Sequence, residues 1–476
     1  MTAGLVCITT FNSAAGVIGP ETGSSCPLNG ALITQEPLTY GIEGIEMGSE
    51  VIVSVIAQSK SNPGDRHYCQ RIPITVSPFI LLSNLDEVEQ LYLAKCVDSE
   101  HPNRNIESEQ FITDLATALI STEGPLTNID QITVITDVEK DIWAQDYSEI
   151  GYTSVPTRSM HTVLKATPTS GYQLSSKIND QLLGANFGLF PEYGIGAGNP
   201  SGEDFFGNIE VTPPISGYPW GRIFVGRNMS DDLKRRLNNQ KIQAPIIEVN
   251  TSWLRVGHVD EIVIFVPASD TTKGFKMLIA SPQKAMDIIG AIEPELQPYT
   301  IITGTDWSSQ LGTLITTTVE ALLTGGANTP EYAIRKSNTQ WIQPKLNQIR
   351  GQFKKELKLD DSDIIDIPVL FVGTVQWNDP ENPITVTSVS SANAYSPNMI
   401  NLLVVNDHLV IPDPLGPISD GKDQFKDAVE SSLDDFDLHL DFIYNWVYHE
   451  AKGEIHCGTN AKRVIPSELI NWWQKQ

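Results

Sequence analysis

The amino-acid sequence predicts an α/β protein, and three observations carry that prediction. Strand-like runs of β-branched and apolar residues alternate with helical patterns along most of the chain, the order expected of α/β or α+β architecture. The composition is globular, with 40% hydrophobic and 19% charged residues among 476, too apolar for a disordered chain. With 35 Gly and 30 Pro and many Thr, Ser and Ile residues, strands and turns are favoured over a helical bundle. At roughly 150 residues per domain, the length admits two or three domains and a large core.

Taken in order, residues 1–70 are rich in Gly, Ser and Pro and hold one clear strand at 51–57 (VIVSVIA). A turn at Ser61-Asn62-Pro63-Gly64-Asp65 follows it. This stretch is assigned to a small β-rich N-terminal region and 71–476 to the main domain, entered through a strand at 72–76. Helical patterns follow at 107–121, 231–240, 283–292, 306–324, 331–358 (interrupted by Pro344) and 424–433. Strands are expected at 132–136, 223–225, 245–249, 261–266, 276–279, 364–372, 399–405 and 438–443. One pattern recurs. A buried-looking strand is followed within several residues by tryptophan: ITVIT then Trp143, PIIEV then Trp253, IIDIPVLFV then Trp377, LHLDFIY then Trp446. Three of these continue into a residue with chemical potential: Asp146, His258 with Asp260, and Cys457. The spacing predicts a repeated strand-and-loop unit whose loops converge on one centre.

The net charge of −26 argues against nucleic acid as a ligand, because phosphate binding needs Lys and Arg. It is compatible with cationic partners such as an arginine-rich peptide, although from charge alone a solubilising surface is the better explanation. No run approaches the ~20 apolar residues of a membrane span, and the first residues lack the basic stretch of a secretory signal. Five cysteines (Cys7, Cys26, Cys69, Cys96, Cys457) are few, odd in number and widely spaced. That pattern predicts reduced thiols and a cytoplasmic setting, without zinc-type cysteine pairs. The glycine-rich Gly194-Ile195-Gly196-Ala197-Gly198 lacks the strand–turn–helix context of a nucleotide loop and is read as a plain loop.

Cys457, His258, Asp146 and Asp260 are the candidate catalytic set. A thiol attacks electrophilic carbon as its thiolate, from a free pKa of about 8.5, and a nearby cation favours that form. Histidine supplies a proton to a leaving group and takes one from water. Cys, His and one carboxylate also describe a cysteine protease, where the acid orients the histidine. Two carboxylates tip the balance: they can grip two edges of a planar guanidinium and aim its central carbon at sulfur. His456, beside Cys457, ranks below His258 as the base, because neighbours in an extended segment face apart.

The flanking segments carry a resemblance. WAQDYSEIGY at 143–152, FGNIEV at 206–211 with Pro213-Pro214, VGHVDE at 256–261, Pro397-Asn398-Met399-Ile400-Asn401 and Glu454-Ile455-His456-Cys457-Gly458-Thr459-Asn460 resemble segments of the peptidylarginine deiminase family. They stand in that family's order with similar separations, from about Thr39 to the C-terminus. The resemblance implies a five-bladed α/β propeller (the pentein fold) as catalytic domain, preceded by an immunoglobulin-like remnant in 1–70. It implies hydrolysis of peptidyl-arginine to peptidyl-citrulline with release of ammonia, through a thiouronium on Cys457. His258 is then the acid/base, Asp146 and Asp260 bind the guanidinium, and Trp143 and Val256 line the arginine stem, where an indole buries methylenes.

The same resemblance implies calcium, held by Gln145, Glu149 and Glu210 with the main-chain carbonyls of Phe206 and Ile209. Oxygen donors suit that ion, which takes 6–8 of them. In an extended segment Gln145 and Asp146 point to opposite sides, so a metal on Gln145 would steady Asp146 toward substrate. The sequence also departs from the family. Tyr147 stands where a second calcium site needs an acid, Ala166-Thr167-Pro168-Thr169-Ser170 lacks that site's Asp and Asn, and Gly171 replaces an arginine that contacts the substrate main chain. The second ion is therefore expected to be absent. Arginine-containing proteins or peptides are the expected partners, with oligomeric state open. Two alternatives remain: a deiminase of small guanidines such as agmatine or free arginine, and a calcium-linked arginine-binding protein without turnover.

Overall fold

The computed structural model describes residues 6–10, 40–44, 50–58, 66–121, 124–136, 138–156, 158–165, 174, 177, 180, 182–184, 187–190, 204–269, 271–379, 381–467 and 472–474. The sequence readings at 61–65, 166–171 and 194–198 and at the side chains of Cys7, Cys26 and Cys69 lie outside the described residues. Near the N-terminus, Val6–Thr10 pairs antiparallel with Tyr40–Gly44, and Glu50–Gln58 with Arg66–Thr75.

The rest is mixed α/β, and one topology recurs in five sheets of the described residues. In each, a central strand pairs antiparallel with a first strand and parallel with a third. The five triplets, written first–central–third, begin with Ser148–Val155, Arg158–Lys165 and Phe187–Phe190. Next come Ile209–Val211, Ile223–Gly226 and Ile247–Val249, then Val263–Pro267, Phe275–Ser281 and Ile364–Pro368. The fourth is Leu403–Val405, His408–Pro412 and His439–Ile443. The fifth brings together segments far apart in the chain, with Thr459–Arg463 against Val88–Ala94, which pairs with Ile132–Ile135. A parallel pair needs a crossover long enough to return the chain. Helices supply it: Asp231–Asn239 in the second sheet, Gln424–Leu433 in the fourth and Pro102–Leu119 in the fifth.

The recurring tryptophan signal now has a structural meaning. Trp143, Trp253 and Trp446 each follow the third, parallel strand of a sheet, whereas Trp377 ends Phe371–Trp377, the strand that comes after the third strand Ile364–Pro368. Each of these third strands lies at the edge of its three-stranded sheet and reads in the sequence as a short, largely apolar run.

Two element predictions fail. Residues 306–324 were expected to be one helix, but Ile301–Asp306 and Thr313–Thr318 form an antiparallel hairpin, and only Val319–Thr324 is helical. The β-branched run Thr313-Leu314-Ile315-Thr316-Thr317-Thr318 prefers a pleated surface to a helix. Pro344, expected to break the helical stretch 331–358, does not. Pro330–Ser337 continues through a π-helical turn, Asn338–Ile342, into Gln343–Leu357, with Pro344 near the start of that last helix. A missing N–H costs least in a helix's first turn. The run 364–372 divides into Ile364–Pro368 and Phe371–Trp377, the latter in a hairpin with Val386–Ala394. The largest core surrounds the third sheet, where Phe224, Phe265, Phe275 and Phe353 meet edge to face.

Candidate functional site

Every predicted catalytic side chain sits on a short turn that follows the third strand of a sheet. Trp143–Asp146 follows Ile132–Ile135, the 3-10 turn Phe206–Asn208 follows Phe187–Phe190, and the 3-10 turn Val259–Glu261 follows Ile247–Val249. Cys457 lies in the helical turn Ile455–Gly458, beyond His439–Ile443. Hydrogen bonds tie the turns together. The Gln145 N–H donates to the Cys457 carbonyl at 3.2 Å, and the Phe206 N–H to the Asp146 carbonyl at 3.2 Å. Asn460 donates to the carbonyls of Ala144 and Ser148. Asn398 donates to the Glu261 carbonyl at 2.7 Å and Asn401 to the Asp260 carbonyl at 3.3 Å. The Glu261 carboxylate accepts from the N–H groups of Gly257 and His258 at 3.0 and 2.9 Å.

The four predicted catalytic residues come together and are buried. Cys457 Sγ donates to Asp260 Oδ2 at 3.3 Å and lies 3.3 Å from Asn401 Nδ2. His258 Nδ1 is 3.8 Å from Asp146 Oδ1. Gly207 marks the centre of the set. A Cβ there would lie 2.6 Å from His258 Nδ1, 3.1 Å from Asp260 Oδ2 and 3.3 Å from Asp146 Oδ1. Trp143 joins them through Gly453, whose added Cβ would meet the Trp143 ring at 2.4 Å and Cys457 Cβ at 3.1 Å. Val256 is half-buried on the loop leading to His258.

The electrostatics are those of buried carboxylates crowded around a thiol. Asp146 Oδ1 and Asp260 Oδ1 are buried without a hydrogen-bond donor, an arrangement that costs free energy until a donor arrives. Burial pushes the Asp146 carboxyl up to about 6, with Asp260 adding to the effect and His258 opposing it. Burial, reinforced by Asp260 and Asp146, pushes the Cys457 thiol well above its ordinary range. An incoming cation would act in the opposite direction on both groups.

His456 corrects the sequence reading. Residues 455–458 form a helical turn rather than an extended segment, so adjacency does not separate His456 from Cys457. His456 Nδ1 lies 3.0 Å from Asp260 Oδ2, the oxygen that accepts from the thiol, and Nε2 lies 3.2 Å from Glu210 Oε1. Burial disfavours its charged form, but the hydrogen bonds to Asp260 and Glu210 outweigh that and raise it to about 10. Asn401, Glu261, Gly207 and Gly453 were also missed as site residues. The motif segments containing the first three were legible, but adjacency in sequence does not reveal which side chain turns inward.

The predicted metal-binding side chains Gln145, Glu149 and Glu210 line one small polar cavity, shared with Asn84, His456 and Arg463. Gln145 Nε2 donates to Glu149 Oε2 at 2.8 Å, and Asn84 Nδ2 lies 3.4 Å from Glu210 Oε2. Burial and the neighbouring Glu210 push the Glu149 carboxyl well above the usual carboxylate range. Two crowded carboxylates and an amide are a donor set that a hard divalent cation fits. Phe206 and Ile209 are buried at the turn preceding Glu210, and the Phe206 carbonyl accepts the Ile209 N–H. The expected extended conformation at Gln145-Asp146 is a turn instead, yet the two side chains do diverge, Gln145 into this cavity and Asp146 toward Gly207.

Residues 66–474 match a family model described as Protein-arginine deiminase (PAD). Similar curated proteins include the Homo sapiens protein-arginine deiminase type-1, 30% identical over 459 residues, covering 92% of this chain and 63% of that protein. The Mus musculus protein-arginine deiminase type-4 is 30% identical over 488 residues, covering 96% of this chain and 65% of that protein. The chain thus spans somewhat less than two thirds of the length of these relatives. Among solved structures, an agmatine deiminase of C. jejuni aligns with a TM-score of 0.45 and 11% identity, covering 82% of this chain and 97% of that one.

Proposed function

Because this chain belongs to the protein-arginine deiminase family, we propose that it hydrolyses peptidyl-arginine to peptidyl-citrulline with release of ammonia. The observation that carries this reading is the pair of buried, donor-less oxygens, Asp146 Oδ1 and Asp260 Oδ1, the latter on the carboxylate whose Oδ2 accepts from the Cys457 thiol. A guanidinium brings N–H donors in a planar fork, which supplies those oxygens and adds a positive charge next to sulfur.

In this reading the Cys457 proton passes to His258, and the thiolate adds to the guanidinium carbon. His258 returns the proton to the departing nitrogen, and ammonia leaves a thiouronium on sulfur. Water adds next, its proton going to His258, and the carbon–sulfur bond breaks to give the ureido product. Trp143 and Val256 flank the aliphatic stem and exclude water. The product is neutral, so the two aspartates lose their charge partner and release it.

Calcium would be held by the side chains of Gln145, Glu149 and Glu210 with the carbonyls of Phe206 and Ile209. When bound it supplies positive charge that offsets the crowded carboxylates. The five repeated sheets, the fifth joining Thr459–Arg463 to Val88–Ala94, support a five-bladed propeller within 71–476; 1–70 is read as an immunoglobulin-like remnant, although the hairpin of Glu50–Gln58 with Arg66–Thr75 crosses that boundary. Among the described residues no helix is long and apolar enough to cross a membrane; the cytoplasmic setting is a reading from the cysteine pattern of the sequence. The deciding experiment measures ureido formation on a blocked arginine peptide, free arginine and agmatine. Wild type should act best on the peptide and Cys457→Ser on none. Activity surviving that substitution would remove Cys457 as nucleophile, and preference for agmatine would shift the substrate class to small guanidines.

A further inference from the structure

We propose that His456 is a positioning residue that couples the Gln145–Glu149–Glu210 cavity to the thiol, by holding Asp260 against Cys457 until the Glu210 carboxylate is taken by a cation. The proposal rests on the calcium reading above.

Four buried side chains form a continuous line: Glu210, His456, Asp260 and Cys457. Its three contacts are Glu210 Oε1 to His456 Nε2 at 3.2 Å, His456 Nδ1 to Asp260 Oδ2 at 3.0 Å, and Asp260 Oδ2 to Cys457 Sγ at 3.3 Å. An imidazole has only two ring nitrogens, and both are engaged, one at each end of the line. A change at Glu210 is therefore felt at Asp260 through a single ring.

A cation bound through Glu210 competes with His456 Nε2 for the same carboxylate. An N–H left facing a divalent cation is repelled by it, so the ring has a reason to turn. The backbone has no such freedom. The His456 N–H donates to the Asn401 carbonyl, the Cys457 N–H to Asn401 Oδ1, and Thr459 Oγ1 to the Ile455 carbonyl. The response is thus confined to the side chain. Turning the ring removes one of the two groups on Asp260 Oδ2. A carboxylate grips a guanidinium best with both oxygens. In the arrangement described, Oδ1 has no donor while Oδ2 serves both the imidazole and the thiol. Freed from the imidazole, Oδ2 can turn from the thiol to an arriving guanidinium, which completes the fork and leaves the thiol without its acceptor.

The test follows alkylation of Cys457 by iodoacetamide, read by peptide mass spectrometry to separate it from Cys96, in calcium and in chelator. It is paired with the calcium-induced shift of the melting temperature. Couplings of this kind are typically about 5–150-fold, so calcium should speed wild-type alkylation by roughly tenfold. In His456→Asn the rate in chelator should rise and the calcium ratio fall to within about twofold, while the melting shift survives. Glu149→Gln should lose the melting shift itself. A His456→Asn protein that keeps the wild-type ratio overturns the proposal, and so does a wild type whose melting shifts with calcium while its thiol does not respond. No melting shift in wild type overturns the calcium reading and the coupling with it. Should His456→Asn lack a cooperative melt, His456→Gln is judged by the same ratios.

Discussion

Glycine at position 207 is demanded by three neighbours rather than by its own backbone. A methyl there would press on His258 Nδ1 at 2.6 Å and crowd Asp260 and Asp146. Displacements of about 1 Å in such a site cost roughly 10²-fold in rate. Gly207→Ala should therefore lower kcat on a blocked arginine substrate by about that factor with a largely intact melt; unchanged kcat would show that the three side chains need not keep this spacing. Glu261 permits a prediction about pH. Burial raises its carboxyl to about 8, whereas an unfolded chain releases that proton near 4.3. Between these values the folded state binds more protons than the unfolded one, so this group makes stability fall as pH rises through the window. Glu261→Gln keeps an acceptor for the Gly257 and His258 N–H groups without that titration. Its melting temperature relative to wild type should climb between pH 5 and about 8 and then level off; a flat difference would count against the buried, proton-holding carboxyl.

At the scale of elements, the sequence was most legible where apolar runs were short and bounded. Residues 424–433 were read as the helix that forms there, and the strands at 223–225 and 438–443 were each displaced by about one residue. The tryptophan repeat located the third strand of three sheets, and in a fourth it marked a run, 364–372, that divides between two strands. The hairpin at 301–318 was missed although its β-branched run 313–318 signals a strand, and the π-helical turn at Asn338–Ile342 was missed because nothing in the helical pattern marks it. Asn338 is buried. It donates to the carbonyls of Ile334 and Phe371 and accepts the Phe371 N–H, clamping the helix to the Phe371–Trp377 strand. Asn338→Ala leaves the Phe371 N–H and C=O without that partner, and each such buried group costs about 1–3 kcal/mol. Urea unfolding should show a loss of roughly 2–5 kcal/mol, with activity per folded molecule retained. A loss below ~1 kcal/mol would mean that other donors replace the clamp. The membership of the candidate site was legible, since Cys457, His258, Asp146 and Asp260 do meet. Its wiring was not, because the reading of His456 depended on an extended backbone that folds instead as a helical turn.

For the whole molecule, the excess of acid is the property least explained by any one site. The net charge is −26, and the candidate roles of Asp146, Asp260, Glu149 and Glu210 account for only a small part of it. A field of that sign draws cationic substrates toward the surface and raises their encounter rate. Salt shortens its reach from about 10 Å at 0.1 M to about 3 Å at 1 M. The buried aspartates are screened much less than surface carboxylates, so salt separates the two contributions. For an arginine-rich peptide, KM should rise several-fold between roughly 0.05 and 0.5 M NaCl while kcat holds. A single blocked arginine, with one charge and one subsite, should show a much smaller rise. Equal salt dependence for both substrates would assign the effect to the site alone and leave the surface charge to solubility; a steeper dependence for the peptide would make long-range attraction part of how protein substrates reach Cys457.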